Sequence, residues 1–350
     1  MQGLNSPIGK KAAFAYGTIL NELISDKNHS MNLGDSTVIY WAESSNKVYQ
    51  DIAALFFDPD ELEKSESMDA DKLKRDKKAS DIVGSILKKI AIGTVPEEWS
   101  NAIYKLDDKV KFYILGISPN AARLSIRFFI RDSFGDFIRN ITQHYQDMKI
   151  DKEYDDNKEY ISFWRILNQT VSANAKEKSS SPLLSGTVLR SILEGRPYPE
   201  SLFSQIIIRI RAERNINYEK AAIIKAYLLR KNKYMEVLTM SLNQESGNMP
   251  YLLGRLFAVL EKVQFDANGS STLKDRYFSS ASATPSVVFP VLLRTSQHHI
   301  SKAKNGSYME KHISEIIEKM DIVSNPVPSN LSLEQQGVVI LGYYHQRNNL

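Results

Sequence analysis

The chain has 350 residues, of which 42% are hydrophobic and 25% are charged, and its formal net charge is +4. This apolar content is enough to bury a core, which excludes a wholly disordered chain, and the length suggests two domains. The absence of cysteine excludes disulfides, thiolate zinc sites and cysteine nucleophiles. No signal-peptide pattern or membrane-length apolar stretch is visible, so we expect a cytoplasmic protein with no membrane partner.

The charge is distributed unevenly between the two halves of the chain. Residues 1–180 contain 25 Lys and Arg against 27 Asp and Glu, whereas residues 181–350 contain 20 against 14. Such asymmetry indicates that the second half meets a polyanion. The alternative, a slightly basic globular surface, explains the charge alone equally well.

The first half mixes helical and strand patterns. Helical spacing of apolar residues predicts a helix over Lys10–Ser25 and another helical face around Val48 to Phe56, and the β-branched and aromatic run Thr37–Ala42 predicts a strand between them. Asp58–Ser80 has almost no large apolar side chain, which favours a solvated loop over a phosphate-binding segment because acids are interspersed among its lysines.

A β-hairpin followed by a helix is the clearest local pattern. Lys111–Ile117 and Ala122–Arg131 are predicted as strands joined by a turn at Ser118-Pro119-Asn120, and Phe134–Met148 as the helix. Strict alternation in the second strand predicts two faces. The apolar face would contain Leu124, Ile126, Phe128 and Ile130, and the basic face Arg123, Ser125, Arg127, Phe129 and Arg131. Arginines around an aromatic residue suit single-stranded RNA, although a solvent-facing sheet surface is the alternative.

The remainder of the chain carries only helical patterns. We expect an α+β domain over residues 1–175 and a basic helical domain over residues 182–350, so the predicted fold class is an α+β N-terminal part followed by an all-α helical bundle. Proline at helix starts and glycine at helix ends support the helix assignments. The predicted helices are Pro182–Leu193, Pro199–Glu213, Tyr218–Lys231, Pro250–Gln264, Thr272–Ser280, Pro285–Ala303, Tyr308–Ile322 and Leu331–Arg347.

No catalytic or metal-binding motif is present in the sequence. The phosphate-binding glycine loops, the HExxH zinc motif and the GxSxG elbow are all missing. His298 and His299 are adjacent, so on a helix their side chains point about 100° apart and suit one metal ion poorly. We therefore expect no catalytic residue, no metal site and no cofactor.

Basic residues on the predicted helices are the main functional signal in the second half. Residues 181–309 contain 17 Lys and Arg against 9 Asp and Glu. Helical cations spaced in this way can follow a phosphate backbone without reading sequence, although each one alone is equally consistent with a surface charge. The candidate nucleic-acid-binding residues here are Arg190, Arg196, Arg209, Arg211, Arg214, Arg255, Lys262, Lys274, Arg276, Arg294, Lys302 and Lys304.

Several long motifs resemble a known family. The hairpin FYILGISPNAARLSIRFF at Phe112–Phe129 is similar to the signature of the Csd1 (Cas8c) family, the large subunit of the type I-C CRISPR interference complex, Cascade. Seven further motifs share this resemblance, which runs over essentially the whole chain. They are NSPIGKKAAFAY at Asn5–Tyr16, GDSTVIYWAE at Gly34–Glu43, GRPYP at Gly195–Pro199, RIRAER at Arg209–Arg214, NYEKAAIIKAYL at Asn217–Leu228, PYLLGRLFAVLEKVQ at Pro250–Gln264 and GYYHQ at Gly342–Gln346.

The resemblance implies a non-catalytic subunit with defined partners. These would be the guide crRNA, target DNA, the other backbone and small subunits of Cascade, and a helicase–nuclease recruited in trans. It also implies that residues 240–350 correspond to a small-subunit-like C-terminal bundle and that this chain lacks the family's N-terminal portion. Two alternatives remain open: a protein–protein scaffold without nucleic-acid contact, and, less favoured, a nuclease.

Overall fold

The computed structural model describes residues 8–57, 107–121, 123–154, 161–176 and 180–350. The chain divides into two compact units. Unit 1 comprises residues 1–143 and 181–195, and unit 2 comprises residues 144–180 and 196–350. That residues 1–175 and 182–350 form two independently folding domains remains a prediction. The predicted loop Asp58–Ser80 lies outside the described residues.

The predicted fold class is confirmed, because an antiparallel sheet with helices is followed by many helices. The strands are β1 (Ser30–Leu33), β2 (Ser36–Ala42), β3 (Lys111–Asn120) and β4 (Arg123–Ser133). The helices are α1 (Lys10–Ser25), α2 (Val48–Phe57), α3 (Phe134–Met148), α4 (Phe163–Asn168), α5 (Pro182–Leu193), α6 (Glu200–Glu213), α7 (Tyr218–Arg230), α8 (Met249–Asn268), α9 (Leu273–Ala283), α10 (Pro285–Lys302), α11 (Gly306–Lys319) and α12 (Leu333–Arg347). None of the helices in the described ranges is long and apolar enough to cross a bilayer.

Unit 1 is built on a four-stranded sheet in the order β1-β2-β3-β4. Its core is aromatic: the ring of Phe112 on β3 lies 4.6 Å from that of Phe137 on α3, and the ring of Tyr40 on β2 lies 4.4 Å from that of Phe57 on α2. Large buried rings of this kind contribute strongly to core stability. One face of the sheet is therefore filled by α2 and α3.

The hairpin differs from its prediction in two ways. The expected turn at Ser118-Pro119-Asn120 is wrong, since β3 continues through Asn120 and the chain reverses at Ala121, which has a positive φ of 52°. A β-bulge also interrupts the β3–β4 register: Gly116 pairs with Phe128, but Ile117 pairs with Ile126. Arg127 is thus the extra residue of β4.

The bulge reverses the faces expected for the first part of β4. Paired residues of antiparallel strands share a face, so Ile126 and Leu124, which pair with Ile117 and Pro119, lie on the face opposite to Phe128. The prediction that Leu124, Ile126, Phe128 and Ile130 form one apolar face is therefore wrong. Leu124 and Ile126 are 54% and 70% exposed.

Unit 2 is centred on the crossing of α8 and α12, which requires glycine on both helices. A Cβ atom at Gly254 would lie 2.0 Å from the carbonyl oxygen of Val339, and one at Gly342 would lie 2.1 Å from that of Tyr251. The buried residues of α8 run from Met249 to Leu260 and include Val263, and those of α12 run from Gln336 to Gln346. A capping box at Ser332 and Gln335 begins α12, so local and tertiary signals agree on where this helix starts.

Candidate nucleic-acid interface

Several basic residues of unit 2 are committed to its interior. Arg230 on α7 is 7% exposed at its side chain and forms an ion pair with Asp147 at 2.6 Å. Lys225 donates to the backbone carbonyl of Asp147 at 3.1 Å, and burial lowers its pKa. Buried charges require such partners because an unpaired charge in a protein interior is costly. These two cations therefore serve the fold.

The same network contains a neutral histidine. His144 is fully buried and its Nδ1 lies 2.6 Å from the hydroxyl of Tyr198. Burial, followed by the positive charge of Arg230, lowers the pKa of His144 to about 3. Neutral imidazole is thus the form that this core accommodates near neutral pH.

Arg255 belongs to the core rather than to the surface. It is 7% exposed; its Nε donates to Oε1 of Gln346 at 2.9 Å and its Nη1 donates to the carbonyls of Asn243 and Gln244. The expectation that Arg255 lies outside the helical core, available to phosphates, is wrong. Its guanidinium ties α8 to α12 and to the segment before α8.

The RIRAER segment of α6 divides into three environments. Arg209 forms a 3.8 Å ion pair with Glu213, and Arg211 donates to the side-chain oxygen of Gln336. Arg214 takes the left-handed conformation that ends α6, with φ 53°, and is exposed. Only Arg214 of the three is clearly presented to solvent.

Four more candidates have intermediate positions. Arg190 pairs with Glu194 at 3.2 Å, and Lys262 pairs with Asp266 on its own helix. Lys274 is half-buried, with its Nζ 5.9 Å from the ring centroid of Tyr343, while Arg196, within the GRPYP segment, is exposed. These contacts make Arg190, Lys262 and Lys274 less available to a phosphate than an unpaired surface cation.

Helix α10 presents an exposed basic strip. Arg294, His298 and Lys302 follow one another at intervals of four residues, and all three are exposed. Four residues advance about 6 Å along a helix and rotate it only slightly past a full turn, so the three side chains share one face. None of the 18 residues of α10 is acidic. This face therefore carries positive charge without internal neutralisation.

Arg276 on α9 and Lys304 beyond α10 are also exposed. Within the described ranges, no ion pair or hydrogen bond joins the side chains of Arg276, Arg294, Lys302 or Lys304 to another residue. We call the set Arg276, Arg294, His298, Lys302 and Lys304 the α10 basic strip, of which Arg294, His298 and Lys302 share one face of α10, Arg276 lies on α9 and Lys304 follows α10. Sequence analysis identifies all of its members as phosphate-binding candidates except His298, which the exposed four-residue spacing adds.

Among the described residues, the histidine pair on α10 belongs to no group of three candidate metal ligands. Burial, followed by the nearby charges of His298 and Lys302, lowers the pKa of His299. No group of three or more His, Asp or Glu residues suited to a metal ion occurs in the described part of the chain.

The three hairpin arginines do not share one face. Arg131 lies over the ring of Tyr113, with its Cζ 5.8 Å from the centroid. Arg127, at the bulge, donates to Oγ of Ser118 at 2.7 Å and lies 3.7 Å from the carboxylate of Asp35. Arg123 pairs with Asn120 at the hairpin end, on the face opposite to Arg131. The predicted common basic face of Arg123, Arg127 and Arg131 is therefore wrong, because the bulge shifts the alternation.

The free face of the sheet carries instead an aromatic stack that sequence reasoning missed. Trp41, Tyr113 and Phe129 lie side by side on β2, β3 and β4, with centroid separations of 5.2 Å and 6.2 Å and nearly parallel rings. The sequence contains all three residues, but only the register shows that Trp41 pairs with Tyr113 and that Phe129, which pairs with Leu115, is the diagonal neighbour of Tyr113.

The whole sequence matches one family of known proteins. The family model described as CRISPR-associated protein (Cas_Csd1) matches residues 1–350, so the chain belongs to this family. Its members are the large subunits of type I-C Cascade, and the chain is accordingly a CRISPR-associated subunit of that complex. No curated protein was found to match the sequence.

Proposed function

We propose that this chain is a non-catalytic, nucleic-acid-binding subunit of Cascade that holds crRNA and target DNA through their phosphates. In this role the guide supplies sequence recognition by base pairing, and the protein supplies a positively charged path along the backbone. A helicase–nuclease recruited in trans would cut the target. The proposed working compartment is the cytoplasm, where the other Cascade subunits and both nucleic acids would meet the chain.

The observation that carries this proposal is the α10 basic strip. Its members are exposed, they have no acidic partner among the described residues, and Arg294, His298 and Lys302 share one helical face. A polyanion replaces the small counterions of such a surface, and their release favours binding. Contacts of this type do not depend on the base sequence, which suits a subunit that leaves recognition to the guide.

The C-terminal helices pack together around α8. The main apolar residues of α8, α11 and α12, including Leu252, Leu256, Ile313 and Val339, are buried. Helices α9 to α12 all contact α8. These packed helices support the proposal that residues 240–350 act as a small-subunit-like bundle, with the basic strip on its outside.

The scaffold alternative has its own support, since many of the predicted arginines are committed to ion pairs or to the core. It predicts that removing strip cations leaves nucleic-acid binding unchanged. The nuclease alternative has no supporting cluster in the described ranges. It would require cleavage of DNA or RNA in Mg²⁺ or Mn²⁺ that one carboxylate substitution in this chain abolishes.

The proposal is tested by co-expressing the full chain with the other Cascade subunits and a crRNA. The expected result is a complex whose retention of target DNA weakens when Arg276, Arg294 and Lys302 are changed together to Gln, while protein composition stays constant. A matched variant changes Lys311, Lys233 and Lys231, which are paired with Glu315, Glu334 and Glu200. Equal retention by both variants would contradict the proposal.

A further inference from the structure

The face of the sheet opposite to α2 and α3 is apolar, and its part around β4 is exposed, whereas Ile39 and Ile117 on the same face are buried. Leu124, Ile126 and Phe129 are 54%, 70% and 54% exposed, and the register puts them on the same side as Trp41 and Tyr113. Single exposed apolar residues are ordinary, but a contiguous group that includes aromatics marks an interaction surface. Helices α2 and α3 pack on the opposite face, so these exposed side chains do not belong to the aromatic core.

The strand that carries the exposed side chains is also a sheet edge. In the described part of the chain β4 has a neighbour on one side only, which is β3. With 11 residues it is long for an edge strand, whereas β1 at the other edge has only four. Natural proteins shorten, charge or cover such edges because their free backbone groups recruit another strand. One bound segment could therefore make backbone hydrogen bonds to the edge of β4 and side-chain contacts with the exposed apolar residues.

The chemistry of this surface fits protein better than nucleic acid. Tyr113 is stacked between Trp41 and Phe129, so both faces of its ring are already occupied and cannot receive a base. The hydroxyl of Tyr113 donates to the carboxylate of Glu43 at 2.8 Å, which adds negative charge near any approaching phosphate. Exposed aliphatic side chains such as Ile126 supply area for apolar packing, not for base stacking.

Charge identifies the occupant further. Strand β4 contains three arginines against one acidic residue, Asp132; Arg127 already lies 3.7 Å from Asp35, whereas Arg123 and Arg131 have no acidic partner among the described residues. Tyrosine, tryptophan and arginine are also the residues that contribute most at protein interfaces. An added strand with alternating apolar residues and carboxylates would hydrogen-bond to the free backbone groups of β4. Its apolar side chains would pack on the exposed apolar side chains, and its carboxylates would pair with the arginines.

We propose that β4 and its exposed face are the docking site for an extended, acidic and apolar segment of another Cascade subunit, which pairs with β4 as a fifth strand. Strand addition of this kind draws affinity from backbone hydrogen bonds and selectivity from alternate side chains. The inference rests on membership of Cascade and does not require that this chain binds nucleic acid.

The test uses the full chain co-expressed with the other Cascade subunits and a crRNA. The double variant Leu124→Ser, Ile126→Ser should recover on the order of tenfold less of one partner subunit, while the isolated variant keeps the wild-type circular dichroism spectrum. The matched control is Leu183→Ser on α5, also in unit 1 and 83% exposed, which should assemble normally. Normal assembly of the double variant would overturn the proposal.

Two further measurements identify the segment that binds to β4. Backbone amides of β4 should exchange on the order of tenfold more slowly in the complex than in the isolated chain, with β1 unchanged. A photo-crosslinking amino acid at Ile126 should capture an acidic peptide of a partner subunit. Crosslinking to crRNA, or loss of oligonucleotide binding by the isolated double variant, would instead assign the face to nucleic acid. Salt-dependent binding by the wild-type chain tests the proposed function separately.

Discussion

The buried cations of α7 and α8 and the exposed cations of α10 are the same residue types in opposite roles. Arg230 and Arg255 are each 7% exposed and are held by Asp147 and by Gln346 with two backbone carbonyls. Arg294 and Lys302 are exposed without a described partner. The number of basic residues therefore does not measure the capacity of a helical unit to bind a polyanion. What decides it is whether each charge is already neutralised within the fold.

Substituting Arg230 should produce the largest loss of stability. It should therefore distinguish the buried cations of α7 and α8 from the exposed cations of α10 most clearly. Arg230→Met leaves Asp147 buried without its ion pair, which costs about 3–5 kcal/mol of unfolding free energy. The matched substitution Arg294→Met on the exposed strip should change stability by less than about 0.5 kcal/mol. Urea denaturation of both variants gives the comparison. Equal stabilities would show that the buried Arg230–Asp147 ion pair does not stabilise the fold.

The pH dependence of stability should report on the buried histidines. Burial, with the charge of Arg230 for His144 and of Lys225 for His345, lowers their pKa values to about 3 and about 4. A lowered folded-state pKa means that the unfolded chain binds protons first as pH falls below about 6.5, so stability is complete above that pH and declines below it. We expect a loss of about 2 kcal/mol for each histidine between pH 8 and pH 5.

The control for this prediction is the double variant His144→Gln, His345→Gln. It should be less stable than the wild type at pH 8, because neither imidazole remains to hydrogen-bond Tyr198 or Tyr251. Its stability should nevertheless decline less steeply between pH 8 and pH 5. Parallel declines in the two proteins would mean that other groups govern the acid response.

Removing the guanidinium of Arg255 should have an intermediate effect. Arg255→Met takes away three hydrogen bonds from a charged donor, which we expect to cost about 2 kcal/mol. It should not change the salt dependence of nucleic-acid binding measured at a temperature where the variant is folded. A reduced salt slope would place Arg255 at the interface and contradict its assignment to the core.

Much of the fold could be predicted from local signals, whereas the site depended on long-range ones. Proline in the first turn marks the starts of α5, α8 and α10 along the chain, and α8 also has the N-cap Asn248 and the C-cap Gly269. The bulge at Arg127 could not be read from the sequence, because an extra residue in a strand leaves no local signature and reverses every face beyond it. The burial of Arg255 depends on Gln346, 91 residues away, and spacing along a single helix does not reveal such a partner.

The most direct test of the central claim is the salt dependence of DNA binding by the full chain. We expect the logarithm of the binding constant to fall linearly with the logarithm of salt concentration. The triple variant Arg276→Gln, Arg294→Gln, Lys302→Gln should flatten that slope by about one unit for each phosphate that is no longer neutralised. The control triple Lys231→Gln, Lys233→Gln, Lys311→Gln should keep the wild-type slope. Binding that ignores salt, or identical slopes for both triples, would contradict the claim that the α10 basic strip grips phosphates.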